Sequence, residues 1–261
     1  MRIVSWNIRA GGGRRVPLIA EQLAVWTPDI VMLCEFRDTP PSRCLAETLA
    51  GQGLAFQAAA IDASQPGRNG LLVASRWPVR CLRARNAPAE PCRWLLARID
   101  APAAFTLGAM HIPNEGSDGR KVAYWSAIER LVRGWRRGPG LLIGDTNSGR
   151  PIIDEESPVF GPRYDVWFDS LHRSGWVDAF RHLHGDERVY TWYSPNAGNG
   201  FRLDQAFINR RLLPRLQHAG YEWGTTGDPT ISASRTILSD HAALLLDIDD
   251  GCSEDGDRPI G

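Results

Sequence analysis

The chain has 261 residues and a mass of 28.9 kDa, with 43% hydrophobic and 23% charged residues. That composition supplies ample core and excludes a mainly disordered or collagen-like chain. Thirty basic and thirty acidic residues balance to zero formal charge, which excludes a globally basic nucleic-acid coat. The positive charge is lopsided in kind: Lys121 is the sole lysine, and every other basic residue is arginine. Arginine forks match phosphate geometry better than ammonium points do, although the codon bias of a GC-rich genome gives the same excess.

The chain opens on a strand-like segment, Arg2 to Ile8, so no signal peptide is expected. Val16–Thr27 is predicted as a helix. Ile30 to Cys34 is a continuous apolar run, suited to a strand buried on both faces. A helix over Ser42–Gly51 and strands over Gly70–Ala74 and Phe105–Met110 follow. Gly119–Arg137 reads as a helix, because Val122, Ile128, Leu131, Val132 and Trp135 recur near the 3.6 period. Gly140–Gly144 is a further buried strand, Arg163–Ser174 a helix, and Arg202–Asn209 and Ala243–Ile248 the last strands. Many strands with few helices predict an α/β fold of two packed sheets covered by helices, in one domain over residues 1–249. The acidic, aperiodic tail over 250–261 is expected to be disordered. No apolar run approaches the roughly 18 residues of a membrane span. Cys34, Cys44, Cys81, Cys92 and Cys252 show no CxxC spacing. Reduced thiols in a cytoplasmic protein are therefore expected, with no disulfide framework and no zinc site.

The informative pattern lies where strands end. Asn7 closes the first strand, Glu35 follows Cys34, His111 follows Met110, and Asp145 and Asn147 follow Gly144. Asp204 sits within the Arg202–Asn209 strand, and Asp240 and His241 precede the last one. Any one of these is ordinarily a turn former or a helix cap. Together they place an amide, several carboxylates and an Asp-His pair against buried strands, a usual way to build a site on a rigid sheet.

Six short motifs carry a resemblance to a known family. They are Ser5-Trp6-Asn7-Ile8, Leu33-Cys34-Glu35, His111-Ile112-Pro113-Asn114, Gly144-Asp145-Thr146-Asn147, Arg202-Leu203-Asp204 and Ser239-Asp240-His241. In this order they resemble the endonuclease/exonuclease/phosphatase superfamily of divalent-metal phosphodiesterases and phosphomonoesterases. The resemblance implies a four-layer α/β sandwich, two central mixed β-sheets flanked by helices, with the site at one end of the sheets. The C-terminal third is most similar to exonuclease-III-type apurinic endonucleases, through Gly175 to Arg181, Tyr190-Thr191-Trp192 and Gly200 to Asp204. There the positions of Trp192, Phe201 and Leu203 form an apolar pocket for a base-free deoxyribose; packing is the alternative reading. The chain departs from those enzymes at Arg9, where they usually have a carboxylate, at Arg37, where they have Lys, and at His111, where they have Tyr. His111 and Arg9 look more like the pancreatic-type deoxyribonucleases and neutral sphingomyelinases.

The resemblance implies a Mg²⁺-dependent hydrolase of phosphodiester bonds, with Mn²⁺ as a substitute. It also implies a DNA endonuclease or exonuclease in DNA repair, acting at abasic sites or generally by metal-assisted water attack. Oxygen ligands suit Mg²⁺: Glu35 first, with Asn7 and Asp240 in support. Asp145 would orient or deprotonate water and Asn147 would fix it. His241, held by Asp204, would donate to the phosphate. His111 would be a second phosphate contact or the general acid, with Glu90 to orient it. Arg9 and Asn114 are candidate phosphate contacts, as are clusters at Arg14-Arg15, Arg133 with Arg136-Arg137, and Arg210-Arg211. The alternative is a phosphoesterase acting on a small molecule or phospholipid, although no membrane-insertion hairpin is evident. No obligate protein partner is implied.

Overall fold

The computed structural model describes residues 1–90, 92–114, 116, 119–226 and 236–251. In chain order the first strands are β1 (Arg2–Asn7), β2 (Ile30–Phe36), β3 (Phe56–Ala60), β4 (Gly70–Ser75) and β5 (Val79–Cys81). Then come β6 (Trp94–Ile99), β7 (Phe105–His111), β8 (Gly140–Asp145), β9 (Trp176–Asp178), β10 (Trp192–Tyr193) and β11 (Gly200–Phe201). The last are β12 (Asp204–Asn209), β13 (Leu216–Glu222), β14 (Thr225–Thr226), β15 (Thr236–Ile237) and β16 (Ala243–Ile248). The helices are α1 (Val16–Trp26), α2 (Pro40–Gly51), α3 (Arg120–Arg133), α4 (Pro162–Arg173) and α5 (Ala179–His184).

One six-stranded sheet runs β13-β16-β1-β2-β4-β3 and the other runs β5-β6-β7-β8-β12-β9. The strands alternate between two apolar faces, as a period of two requires. Ile3, Met32, Val73, Leu107, Leu141, Ile143 and Ile208 meet between the sheets. The opposite faces pack against helices: Val4, Trp6, Leu33 and Leu72 against Ile19, Leu23 and Leu45 of α1 and α2. On the other side Leu96, Met110, Leu142 and Phe207 pack against Ile128, Leu131, Trp167 and Leu171 of α3 and α4. The result is the four-layer sandwich expected, two mixed sheets between helical layers. Among the described residues no helix is long and apolar enough to cross a membrane, and Cys34, Cys44, Cys81 and Cys92 are free thiols. Cys252 and the expected tail beyond Gly251 lie outside the described residues.

The third helix departs from its sequence reading. It ends at Arg133, with Gly134 as its cap, so Trp135 lies beyond it. Val122 is 48% exposed, while Lys121 is buried at 4%. The inward stripe is Lys121, Tyr124, Trp125, Ile128 and Val132, spaced i, i+3, i+4, i+7 and i+11, and Val122 falls off that face. Strand β3 (FQAAA) is half-exposed at a sheet edge and its only apolar run is three alanines. Helix α5 is a single short turn capped by the Asp178 side chain, which accepts from Arg181 N at 3.1 Å.

Register then gathers the strand ends. β1 and β2 are parallel with Asn7 opposite Cys34, and β7 and β8 are parallel with His111 opposite Asp145. β12 is antiparallel to β8 with Asp204 opposite Asp145. Gly144 is required where these meet, since its φ is +145° and a Cβ would lie 1.9 Å from the Met110 carbonyl oxygen.

Behind the start of β12 lies a buried ion cluster. Arg202 is fully buried and donates from Nε to Asp154 Oδ1 at 2.7 Å and from Nη2 to Asp178 Oδ2 at 2.5 Å. Arg181 also donates to Asp154. Burial alone would raise the Asp154 carboxyl, but Arg202 and Arg181 outweigh it and hold the group below its ordinary 3.8. A depressed carboxyl stabilises the fold above the unfolded value and loses that contribution as pH falls through the folded one. The acid limb of the stability–pH curve is therefore expected to be shallower in Asp154→Asn than in the wild type. Thermal denaturation at stepped pH checks this, and parallel acid limbs would refute it.

Candidate active site

The gathered strand ends open into a cleft of about 650 Å³. Its lining includes Asn7, Glu35, His111, Asn114, Asp145, Asn147, Asp240 and His241, with Trp192, Phe201 and Leu203. The structure thus brings together the strand-end residues and apolar pocket residues singled out from sequence, except Asp204; Arg9, Glu90 and the three arginine clusters lie outside the lining. Asp204 stands directly behind His241, its Oδ2 2.9 Å from Nδ1. Arg9 lies outside the lining, 64% exposed at the side chain, with Nε 3.9 Å from Asp240 Oδ2. Glu90 does not orient His111: it faces Arg68 at 4.0 Å. Arg37 donates from Nε to Asn69 Oδ1 at 2.6 Å.

Asp145 is the hub. Its Oδ1 accepts from Asn147 N at 2.9 Å and its Oδ2 from Asn7 Nδ2 at 3.0 Å. His111 Nε2 lies 3.6 Å and His241 Nε2 4.0 Å from the same Oδ2. Burial raises the pKa of Asp145 despite the two imidazoles. The two histidines part ways. For His241, burial works downward, but the Asp204 and Asp145 carboxylates outweigh it and lift the pKa to about 9. For His111, burial dominates and lowers it to about 4, beyond what Asp145 restores. At neutral pH one ring is cationic and the other neutral. Among the described residues nothing hydrogen-bonds His111 Nδ1.

Glu35 enters the cleft through a bulge. The register between β2 and β4 shifts between Cys34 and Phe36, and Glu35 has a φ of +61°. A bulge of this kind re-aims one side chain at the end of a strand. Its Oε2 accepts from Ala10 N at 2.6 Å. Ser239 Oγ donates to the Asn7 carbonyl at 2.6 Å and Trp6 Nε1 to the His241 carbonyl at 2.9 Å, so the Asp240-His241 loop is tied to β1. Trp192 and Phe201 rings stand 6.0 Å apart, and Trp192 lies 6.3 Å from the His241 ring.

The donor set suits a hard divalent cation. Asn7, Glu35, Asp145, Asp204 and Asp240 offer oxygens, His111 and His241 offer nitrogens, and among the described residues no cysteine lines the cleft. Ligand atoms of Asp145, Asp204 and His241 lie within 4.8 Å of one another. In that group the Asp204–His241 pair is already engaged internally, which leaves Glu35 and Asp240 as the more open oxygens, while buried Asn7 Oδ1 accepts from Arg9 N at 3.0 Å.

Lys121, Phe160, Arg163 and Tyr164 complete one wall. Lys121 donates from Nζ to the Asn147 carbonyl and lies 5.2 Å from the Tyr164 ring centroid. These residues sit on α3 and at the entry to α4, where a charged side chain in a helical pattern reads as solvated surface. The signal available was the sole lysine falling on the apolar stripe of α3.

Comparison with known proteins agrees with this geometry. Residues 4–241 match the Endonuclease/Exonuclease/phosphatase family. An exodeoxyribonuclease of Streptococcus pneumoniae is 28% identical over 166 residues, 56% of this chain and 56% of that protein. A DNA-(apurinic or apyrimidinic site) endonuclease of Dictyostelium discoideum is 24% identical over 243 residues, 83% of this chain and 64% of that protein. The chain thus spans between about half and two thirds of the length of these relatives. A 3′ phosphatase from Neisseria, solved with a product DNA hairpin, superposes with a TM-score of 0.75 at 21% identity, covering 95% of this chain and 99% of that one. That likeness establishes the fold. With motifs, register and cleft in accord over nearly its whole length, the chain belongs to the Endonuclease/Exonuclease/phosphatase family.

Proposed function

We propose that the chain is a Mg²⁺-dependent hydrolase of DNA phosphodiester bonds, with residues 1–249 as its catalytic unit and abasic sites as its preferred substrate. The observation that carries this reading is the convergence of Asp145, His111 and the Asp204–His241 pair on one point of an oxygen-rich cleft. The deoxyribonuclease and apurinic-endonuclease relatives support DNA as the substrate.

A phosphodiester is anionic, so it must be neutralised and held before water attacks. Glu35, with Asn7 and Asp240, would hold the cation. A bound divalent ion supplies charge neutralisation and acidifies water in such a site. The protein's own groups do the rest. Cationic His241, its Nδ1 proton held by Asp204, donates from Nε2 to a phosphate oxygen. Neutral His111 donates beside it, a role that burial favours over that of general acid. Asp145, fixed by Asn7 and the Asn147 backbone, orients the attacking water and accepts its proton. Asn147, with one amide proton committed to the Ile112 carbonyl at 2.8 Å, holds the loop against β7. Asn114 and Arg9 flank the path of the backbone. Trp192, Phe201 and Leu203 form an apolar wall beside His241, suited to a sugar that lacks its base.

The test is a substrate panel of abasic oligonucleotide, intact plasmid and a generic bis-phosphate ester. Each is incubated with Mg²⁺, with EDTA, and with Mg²⁺ or Mn²⁺ restored. Nicking confined to the abasic site, lost in EDTA and regained with either ion, is expected. Cleavage of the generic ester alone would replace this reading with a small-molecule phosphoesterase, and full activity in EDTA would remove the metal.

A further inference from the structure

The sandwich carries a second concentration of positive charge far from the cleft. The segment after α3, the end of α4 and the turn after β12 are remote in sequence. They converge on a groove of about 230 Å³ lined by Arg133, Arg136, Arg173, Arg210 and Arg211 around Trp135 and Trp176. An adjoining groove of about 360 Å³ shares Trp135 and Arg136 and adds Arg85, Arg130 and Arg137. Among the described residues no acidic side chain lines either groove. Among the described residues the one carboxylate in ion-pair range is Glu129, 3.6 Å from Arg133.

Two ordinary explanations fall short. Arginines at helix C-termini complement the helix dipole, which accounts for Arg130, Arg133 and Arg173 in the last turns of α3 and α4. Arg136, Arg137, Arg210 and Arg211 lie outside any helix. Codon bias explains a high arginine count but not the exclusion of carboxylates from both grooves in a chain with equal acids and bases. Cations held together without counter-charge repel one another, and an incoming polyanion relieves that repulsion.

The position of the patch fixes what kind of contact it makes. β8 starts at Gly140 beside this surface and ends at Asp145 in the cleft, and β12 runs the opposite way, from Asp204 to Asn209. The strand length separates the two ends by roughly 17 Å of rise alone. DNA is stiff, with a persistence length of about 50 nm, so a duplex lying across the cleft does not also fold back around the sandwich.

We propose that this surface is an exosite for the sugar-phosphate backbone of a nucleic acid, and that it engages a segment distinct from the one in the cleft. Guanidinium forks pair bidentately with phosphate oxygens. Two grooves joined at Trp135 present them in an extended array, as a repeating anion requires. The choice of nucleic acid as the polyanion rests on the proposed DNA-directed function; the charged surface itself does not.

The test separates binding from cleavage. Fluorescence anisotropy with a duplex of about 60 base pairs gives affinity against salt for the wild type and for Arg136→Gln/Arg210→Gln/Arg211→Gln. Each lost phosphate contact removes about 0.9 from the log–log salt slope, so the triple variant should be shallower by about 2 to 3. It should also bind at least about 10-fold more weakly at 100 mM salt. The corresponding triple lysine variant, which keeps the charge, should retain the slope. Cleavage of a short abasic oligonucleotide should remain within about twofold of wild type, because such a substrate occupies the cleft alone. An unchanged slope, or no duplex binding by the wild type, overturns the exosite. Loss of binding to a polyglutamate peptide with the DNA slope intact overturns it in favour of an acidic protein partner. If no DNA is cleaved while the slope falls as expected, the catalytic reading fails and the exosite stands.

Discussion

Replacing Asp145 or His241 by alanine should lower turnover on an abasic oligonucleotide by at least about 10²-fold. The expectation rests on the shared geometry: Asp145 Oδ2 lies within 4.0 Å of both imidazole Nε2 atoms and within 3.0 Å of Asn7 Nδ2. In the proposed mechanism, loss of Asp145 removes the group that orients water. Loss of His241 removes the donor proposed for the phosphate and leaves Asp204 buried without its 2.9 Å partner. Asp145→Ala should keep its fold, because a carboxylate whose pKa burial already raises gives up a desolvation cost when it is deleted. The two losses should be far from additive, since the proposed mechanism has both residues act in one step. Single-turnover kinetics beside a thermal melt separate lost chemistry from lost structure. Wild-type turnover in either variant would remove that residue from the mechanism.

The second large effect is on stability. Arg202→Met should cost about 3–5 kcal/mol, since it takes the guanidinium partner from Asp178 and leaves buried Asp154 with Arg181 alone. For a domain of this size that corresponds to a fall in Tm of about 6–20 °C. The guanidinium also donates to Tyr221 Oη at 3.2 Å, and that hydroxyl donates to the Asp204 carbonyl at 2.7 Å. The cluster therefore sets where Asp204 starts its strand, and activity should fall along with stability. Chemical denaturation checks the magnitude. A change under about 1 kcal/mol would show that relaxation or water satisfies the stranded acids. Replacing Arg202, Arg181, Asp154 and Asp178 together by apolar residues is much less costly in principle, because no charge of the cluster is then left unpaired.

The site was legible in the sequence because each of its polar residues closes or borders an apolar run. Asn7, Glu35, His111 and Asp145 stand at such boundaries, and the parallel pairings place those boundaries at one end. The layers were legible for a similar reason, since buried strands such as Leu141 to Gly144 are apolar on both faces. What escaped depends on distance along the chain. Arg202 and Asp154 are 48 residues apart, and nothing local marks either as buried. The convergence of Arg136 with Arg210 likewise needs the sheet to bring α3 and β12 to the same end. Edge strand β3 escaped because its alanines have weak strand preference and its burial is partial. The α3 stripe was misplaced because Val122 is apolar and Lys121 is charged, the reverse of their burial.

That inversion has a chemical consequence. Lys121 carries the chain's sole lysine amine, and it is buried against Asn147 and Tyr164 in the cleft wall. The positive side chains on the surface, apart from histidines, are therefore guanidinium groups, which stay protonated throughout the range in which proteins are handled. Reagents that acylate lysine find a single side-chain target, reached through the cleft, so its labelling reports whether the cleft is filled. Surface charge changes with pH through acids, histidines, cysteines, tyrosines and the N-terminal amine, leaving the arginine array as a fixed positive field.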